Sequence, residues 1–180
     1  AAAEVSGEIG LVLFDAHHDV RTEWGVHSGF WLRKLLEHGV IRGEDVIQIG
    51  IRGALYSPMY RRYLAEKRVE FITSLELMLN GVGWALDKVF DKLSGIHQLY
   101  ISFDIDAVDQ VYAPGTDHPS PGGLTSIQAT YMLHSIAGKM TARWLDIVEV
   151  SPPLDINEAT VKLAAELANQ YIHARIGKAP

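Results

Sequence analysis

Five short apolar runs, each followed by a segment of helical character, dominate this 180-residue chain and leave it few ways to fold. The runs are Leu11 to Phe14, Val46 to Ile51, Val69 to Thr73, Leu99 to Ile105 and Trp144 to Val150. All are of strand length, contain β-branched or aromatic residues and are close to continuously apolar, which is the pattern of strands buried on both faces. Their alternation with helical segments predicts an α/β protein, a parallel sheet covered by helices in three α/β/α layers, and excludes an all-α or all-β domain. The helices have legible ends. Ser57-Pro58 offers an N-cap followed by proline at the first helical position and opens a helix reaching about Lys67. Apolar residues recur at helical spacing over 82–93 and stop before Gly95, where a glycine suits a C-terminal cap. Thr125 and Gln128 have capping-box spacing and predict a helix ending near Gly138. Asn157 is the expected cap of a last helix running to Gly177, and 31–36 is a fifth helix. Between the fourth and fifth strands, the loop Asp109 to Gly123 holds three of the seven prolines. Long loops beside strand ends usually carry function.

Composition narrows the function. A chain of this size buries about 70% of its unfolded surface, enough for one core, so residues 1–180 are read as a single domain. The formal charge of −6 has the wrong sign for gripping phosphate backbones, so no nucleic-acid partner is expected. No stretch has the length of apolar sequence that a membrane helix needs, and the Ala-Ala-Ala-Glu start does not read as a signal peptide; the expected location is cytoplasmic, without membrane association. The absence of cysteine removes disulfides, thiolate nucleophiles and Cys-held zinc. A metal here must be held by His, Asp and Glu.

Two acidic strand ends offer such a site. The first strand runs into Asp15-Ala16-His17-His18-Asp19. In extended chain, residues two apart share a face, so Asp15, His17 and Asp19 are expected to converge while His18 points away. The fourth strand ends in Asp104-Ile105-Asp106, and carboxyl ends of strands are where open α/β sheets place their sites. Asp15, Asp19, Asp104 and Asp106 together carry a formal −4 that two divalent ions neutralise, and carboxylates with an imidazole suit Mn²⁺ or Mg²⁺. A metal pair lowers the pKa of bound water and supplies a nucleophile. Glu149 lies in the last apolar run, where a carboxylate needs a partner: either a core ion pair with Arg143 or Arg175, or a cationic ligand. Asp146, three residues earlier, is expected on the opposite face, either structural or holding a site residue in place. Arg21 and Arg52 follow strands on the site side and either meet a substrate carboxylate or stay at the surface. His38, His97, His134 and His173 have no acidic partner nearby in sequence and are read as solvated or capping.

These segments resemble, in order, the signatures of the arginase/agmatinase ureohydrolases: Asp15-Ala16-His17-His18-Asp19, then Ser102-Phe103-Asp104-Ile105-Asp106 with Asp109 and Ala113-Pro114-Gly115-Thr116, then Gly122-Gly123-Leu124, then Asp146-Ile147-Val148-Glu149-Val150. The resemblance implies an arginase-like α/β/α fold with strand order 5-4-1-2-3, and a binuclear manganese site with Asp15, His17, Asp19, Asp104 and Asp106 as ligands. It implies that Glu149 holds the substrate guanidinium. His27, in His27-Ser28-Gly29, resembles the histidine that shuttles protons, so His27, Asp106 and Glu149 are the expected catalytic residues, with His27 and Glu149 touching substrate.

The chain departs from the family pattern twice. Asp117-His118-Pro119 stands where relatives usually continue Gly-Thr-Pro, and the family's Gly-Gly-Asp-His segment, whose histidine binds one metal, has no counterpart in the sequence. The chain is therefore expected to be part of a longer ureohydrolase lacking its N-terminal strands, or to work beside another chain, with the second Mn²⁺ site incomplete, the fifth strand an unpaired edge, and a homo-oligomer as the assembly. The implied reaction is hydrolysis of a small cationic guanidino compound to urea and an amine, of agmatinase or guanidino-acid hydrolase type. The alternatives are a formimidoylglutamase releasing formamide, a non-catalytic subunit keeping the fold, and an aspartyl-phosphate phosphatase built on Asp104.

Overall fold

The computed structural model describes residues 9–22, 28–53 and 57–176. Among them, five strands form one wholly parallel sheet: β1 (Gly10–Phe14), β2 (Val46–Ile51), β3 (Glu70–Thr73), β4 (Leu99–Asp104) and β5 (Ala142–Val148), in the order β3-β2-β1-β4-β5. This is the order the resemblance implies. β1 therefore sits at the centre with β4 beside it, and Phe14 is registered on Phe103, their rings stacked at 4.6 Å. Both rings are fully buried, so truncating either to alanine costs about 3–5 kcal/mol.

Helices cover both faces, because strand side chains alternate. Val12 and Phe14 of β1 join the larger core under α3 (Ser74–Lys92), α4 (Ser126–Lys139) and α5 (Ala159–Ile176). Leu11 and Leu13 face the other way, into a smaller core with α1 (Trp31–Glu37) and α2 (Pro58–Lys67). Both capping reactions behave as the sequence signals. Thr125 Oγ1 accepts from Gln128 N at 3.2 Å while Gln128 Oε1 accepts from Thr125 N at 2.9 Å, and Ser57 Oγ accepts from Met59 N at 3.2 Å.

Two helices start elsewhere than expected. α3 begins eight residues before Val82, at a second capping box between Thr73 and Glu76, and Gly81 with φ 85° and ψ 166° breaks it into two pieces. The final helix is capped by Asp155 rather than Asn157. The Asp155 carboxylate accepts from Ile156 N, Thr160 N and Val161 N, while Asn157 itself has φ 53°. β5 spans Ala142–Val148 instead of 144–150, which moves Glu149 off the strand. Its residues are mostly only half-buried, and it is an edge of the sheet among the described residues. No described helix is long and apolar enough to cross a membrane.

Candidate metal centre

The sheet order brings the carboxyl ends of β1 and β4 together, and the loops that leave them are stitched to each other. β1 stops at Phe14, so Asp15, His17 and Asp19 do not converge by strand alternation as expected. A tight turn does it. Asp15 Oδ1 accepts from His17 N at 2.6 Å, and Asp19 adopts a left-handed backbone with φ 51°. β4 likewise ends at Asp104, and Asp106 sits on a short 3-10 turn, Ile105–Ala107, whose first N–H groups are capped by Asp104: its Oδ1 accepts from Asp106 N at 2.9 Å. Asp106 then reaches across to the other loop. Its Oδ1 accepts from Ala16 N at 3.0 Å and its Oδ2 lies 3.0 Å from His17 Nδ1, which is also 3.4 Å from Asp15 Oδ1.

One donor atom each from Asp15, His17 and Asp106 lies within 4.8 Å of the others, a trio compact enough for a single ion. Asp19 and Asp104 line the same cavity of about 330 Å³, with Asp19 Oδ2 accepting from Trp31 Nε1 at 2.6 Å. Without a cation this cluster holds protons. Burial, reinforced by Asp19 and Asp106, keeps the Asp15 carboxyl well above the ordinary carboxylate range. Burial beside Asp15 and Asp106 pushes Asp104 up to about 10, and burial raises Asp19 to about 6 against the Trp31 hydrogen bond. Hydrogen bonds to Asp106 and Asp15 push His17 up to about 10. Asp106 alone goes the other way: burial would raise it, but the His17 hydrogen bond and charge and the Ala16 N–H hold it low. Carboxylates held so far from their ordinary protonation, around an imidazole, are a donor set that divalent cations relieve, and the oxygen-rich chemistry fits Mn²⁺.

The substrate side differs from the sequence expectation. Glu149 is exposed, has φ 60° and lines the cavity; it is not the buried strand carboxylate expected. Left-handed backbone at a residue other than glycine or asparagine is costly and concentrates at functional sites. Nor does Arg175 pair with it, since Arg175 Nη1 donates to Met140 O at 3.3 Å. Asp146, expected on the opposite face, lines the same cavity and accepts from the Tyr100 hydroxyl at 2.8 Å. The face argument fails because the chain leaves the strand between the two residues. Arg21 lines the cavity, whereas Arg52 turns its guanidinium onto backbone carbonyls. His18 is buried, its Nδ1 2.7 Å from Gln48 Oε1 and its ring edge-on to Phe71. His27 lies outside the described residues.

One cavity residue was not singled out by spacing. His118, from the loop after Asp109, stands edge-on to His17 with ring centroids 5.6 Å apart. The signal was the departure from the family pattern at that point.

Comparison with known proteins places this geometry. The model of the arginase family matches residues 1–173. A formimidoylglutamase from Halalkalibacterium halodurans is 35% identical over 97% of this chain and 56% of its own length, and a guanidinopropionase from Pseudomonas aeruginosa is 34% identical over 88% and 51%. The crystal structure of formimidoylglutamase from Bacillus subtilis superposes with a TM-score of 0.92 at 30% identity, covering 97% of this chain and 55% of that one. The chain thus spans about half the length of the relatives it matches. With the strand order, the two acidic strand ends and the family match in agreement, the chain belongs to the arginase family.

Proposed function

We propose that the protein carrying this chain hydrolyses a guanidino compound to urea and an amine, as an agmatinase or guanidino-acid hydrolase does, with two Mn²⁺ ions whose ligands include Asp15, His17, Asp19, Asp104 and Asp106, the second site being completed from outside these residues. The observation that carries the reading is the meeting of that donor set with Glu149 in one cavity. A guanidinium stays charged at physiological pH and its delocalised carbon resists water, so the reaction needs both a carboxylate to bind it and an activated nucleophile. When bound, the metal pair supplies Lewis acidity and lowers the pKa of water. The chain supplies the rest. Glu149 binds the cationic end of the substrate at the rim. The Ala16 N–H and His17 orient Asp106, and the Trp31 N–H orients Asp19, so the ligands are placed before a cation arrives. His27 is the proposed proton carrier to the departing amine.

Arg21 supports a finer assignment. It lines a cavity rich in carboxylates and its charge acts on Asp19, so a substrate with a cation at one end and a carboxylate at the other complements both. This favours a guanidino acid over agmatine. A second reading, a formimidoylglutamase, is supported by the likeness to the two formimidoylglutamases. The test is a panel of guanidinobutyrate, agmatine, arginine and formiminoglutamate with the Mn²⁺-loaded protein. Urea from guanidinobutyrate above agmatine is the expected result; formamide from formiminoglutamate alone transfers the assignment to the second reading. Turnover of none of the four overturns the hydrolase proposal and leaves a non-catalytic member of the fold.

A further inference from the structure

Arg52, just beyond β2, spends its side chain on carbonyl oxygens from three separate stretches of chain. The two N–H groups of Nη2 reach three carbonyls, Asp106 O at 2.6 Å, Val108 O at 3.1 Å and Ser120 O at 3.2 Å, one hydrogen being shared. Nη1 donates to Ala107 O at 3.2 Å and Gly50 O at 3.3 Å, and Nε to Pro121 O at 3.2 Å. Its own backbone N–H donates to Ala16 O at 3.0 Å, inside the loop that carries Asp15 and His17. One residue thereby joins the end of β2, the turn that carries Asp106, the Asp15–Asp19 loop and the far end of the loop that delivers His118.

The surroundings are shaped for this side chain. A Cβ on Gly123 would lie 2.5 Å from Asp109 N and 2.6 Å from Val108 C, so the backbone there needs a residue with no side chain, and Arg52 Nη2 passes 2.8 Å from the same point. The Asp109 carboxylate closes the same loop from the other side by accepting from Val111 N, Gly122 N and Gly123 N. The guanidinium spreads five N–H donors over three nitrogens in one rigid plane and so reaches carbonyls on separate stretches; a lysine's three donors all radiate from one atom and cannot span them.

We propose that Arg52 is a positioning residue of the metal centre: it fixes the turn that aims Asp106 at His17 and ties it to the loop that brings His118 into the cavity. The proposal rests on the reading of Asp106 as a metal ligand. Arg52 touches neither the donor atoms nor the cavity that holds substrate; it acts through the backbone of a ligand. Loss of a group that holds a metal ligand in place typically costs about 10–100-fold in metal affinity.

The experiment is Mn²⁺ titration of the intact protein followed by electron paramagnetic resonance, comparing wild type with Arg52→Lys and Arg52→Met, and with thermal unfolding of each metal-free form measured alongside. The expected result is about 10–100-fold weaker Mn²⁺ binding in both variants, with an altered spectrum of the bound ion at saturation. A residue serving stability alone would lower the melting temperature and leave the affinity and spectrum of the folded molecules unchanged; that outcome overturns the proposal. If Arg52→Met does not fold, Arg52→Lys decides, because it keeps charge and length while losing the fork. Wild-type protein that takes up no Mn²⁺ overturns the metal-centre reading and this proposal with it, whereas wild-type uptake matched by both variants overturns this proposal alone.

Discussion

The centre of the sheet and its β5 edge hold their functional groups in opposite ways. At the centre, β1 has a strand on each side and a core on each face, and the acidic loops leaving β1 and β4 are fixed by short hydrogen bonds between neighbours in space. Among the described residues, β5 has one partner strand, is half-buried for most of its length, and delivers Glu149 exposed on a left-handed backbone. Metal ligands must be rigid to about half an ångström, which suits the centre. A group that admits and releases a charged substrate needs access to solvent, which suits the edge. Under the proposed function, the difference teaches that one cavity divides its work between a rigid centre, which holds the metal ligands, and an exposed Glu149, which meets the substrate.

The sharpest way to break that comparison is to remove a central carboxylate. Asp104→Ala is expected to abolish metal loading and to lower activity by more than about 100-fold, since even partners outside the ligand shell cost about 10–100-fold; metal content after gel filtration, read beside turnover, checks this. Normal manganese content would place Asp104 outside the ligand set. At the edge, Glu149→Gln should keep both metals and weaken the cationic substrate by about 10–100-fold, the equivalent of about 1.5–3 kcal/mol for a charged hydrogen bond. Loss of manganese with intact substrate affinity would reverse the roles of centre and edge. Smaller still, Arg21→Ala should raise KM about 10-fold for guanidinobutyrate and leave agmatine nearly unchanged, a split measurable in one set of steady-state curves.

Acidity offers a fourth comparison. Burial beside Asp15 and Asp106 raises Asp104 to about 10, and hydrogen bonds to Asp106 and Asp15 raise His17 to about 10, so without a cation the cluster holds protons at neutral pH that a metal ion must displace. Metal uptake therefore releases protons, and the apparent Mn²⁺ affinity is expected to rise between pH 6 and pH 8. Calorimetry in two buffers of different ionisation enthalpy measures the release; a pH-independent affinity would mean that the cluster is already ionised without metal. The smallest effect belongs to the edge. Asp155→Ala removes the cap of α5 and should cost about 1 kcal/mol of stability in denaturant melts while leaving metal affinity unchanged.

Much of this was written locally. The capping boxes at Thr125 and the Ser57-Pro58 start fixed two helices because the groups that satisfy one another lie within three residues. The two aspartate clusters were visible because strand ends announce themselves by the change from apolar to acidic residues. The second capping box, at Thr73, was equally local but lay immediately after a strand, where the apolar run concealed it.

What the sequence determined by itself is the α/β alternation and the identity of the acidic strand ends, since both depend on contacts a few residues long. The strand order followed from family resemblance, and the hydrogen-bonded sheet bears it out. Only the tertiary structure decided where side chains meet once the chain leaves the strands. Alternation has period two only in extended chain, so it could not place Asp19, Asp146 or Glu149, whose positions depend on turns at φ 51° and φ 60° and on where β5 stops. Nor could spacing bring His118 to His17, 101 residues apart in sequence, or turn Arg52 onto the carbonyls of Asp106 and Ser120. Those encounters are set by the packing of loops across adjacent strand ends, where neighbours in space are remote in sequence and no local preference records them.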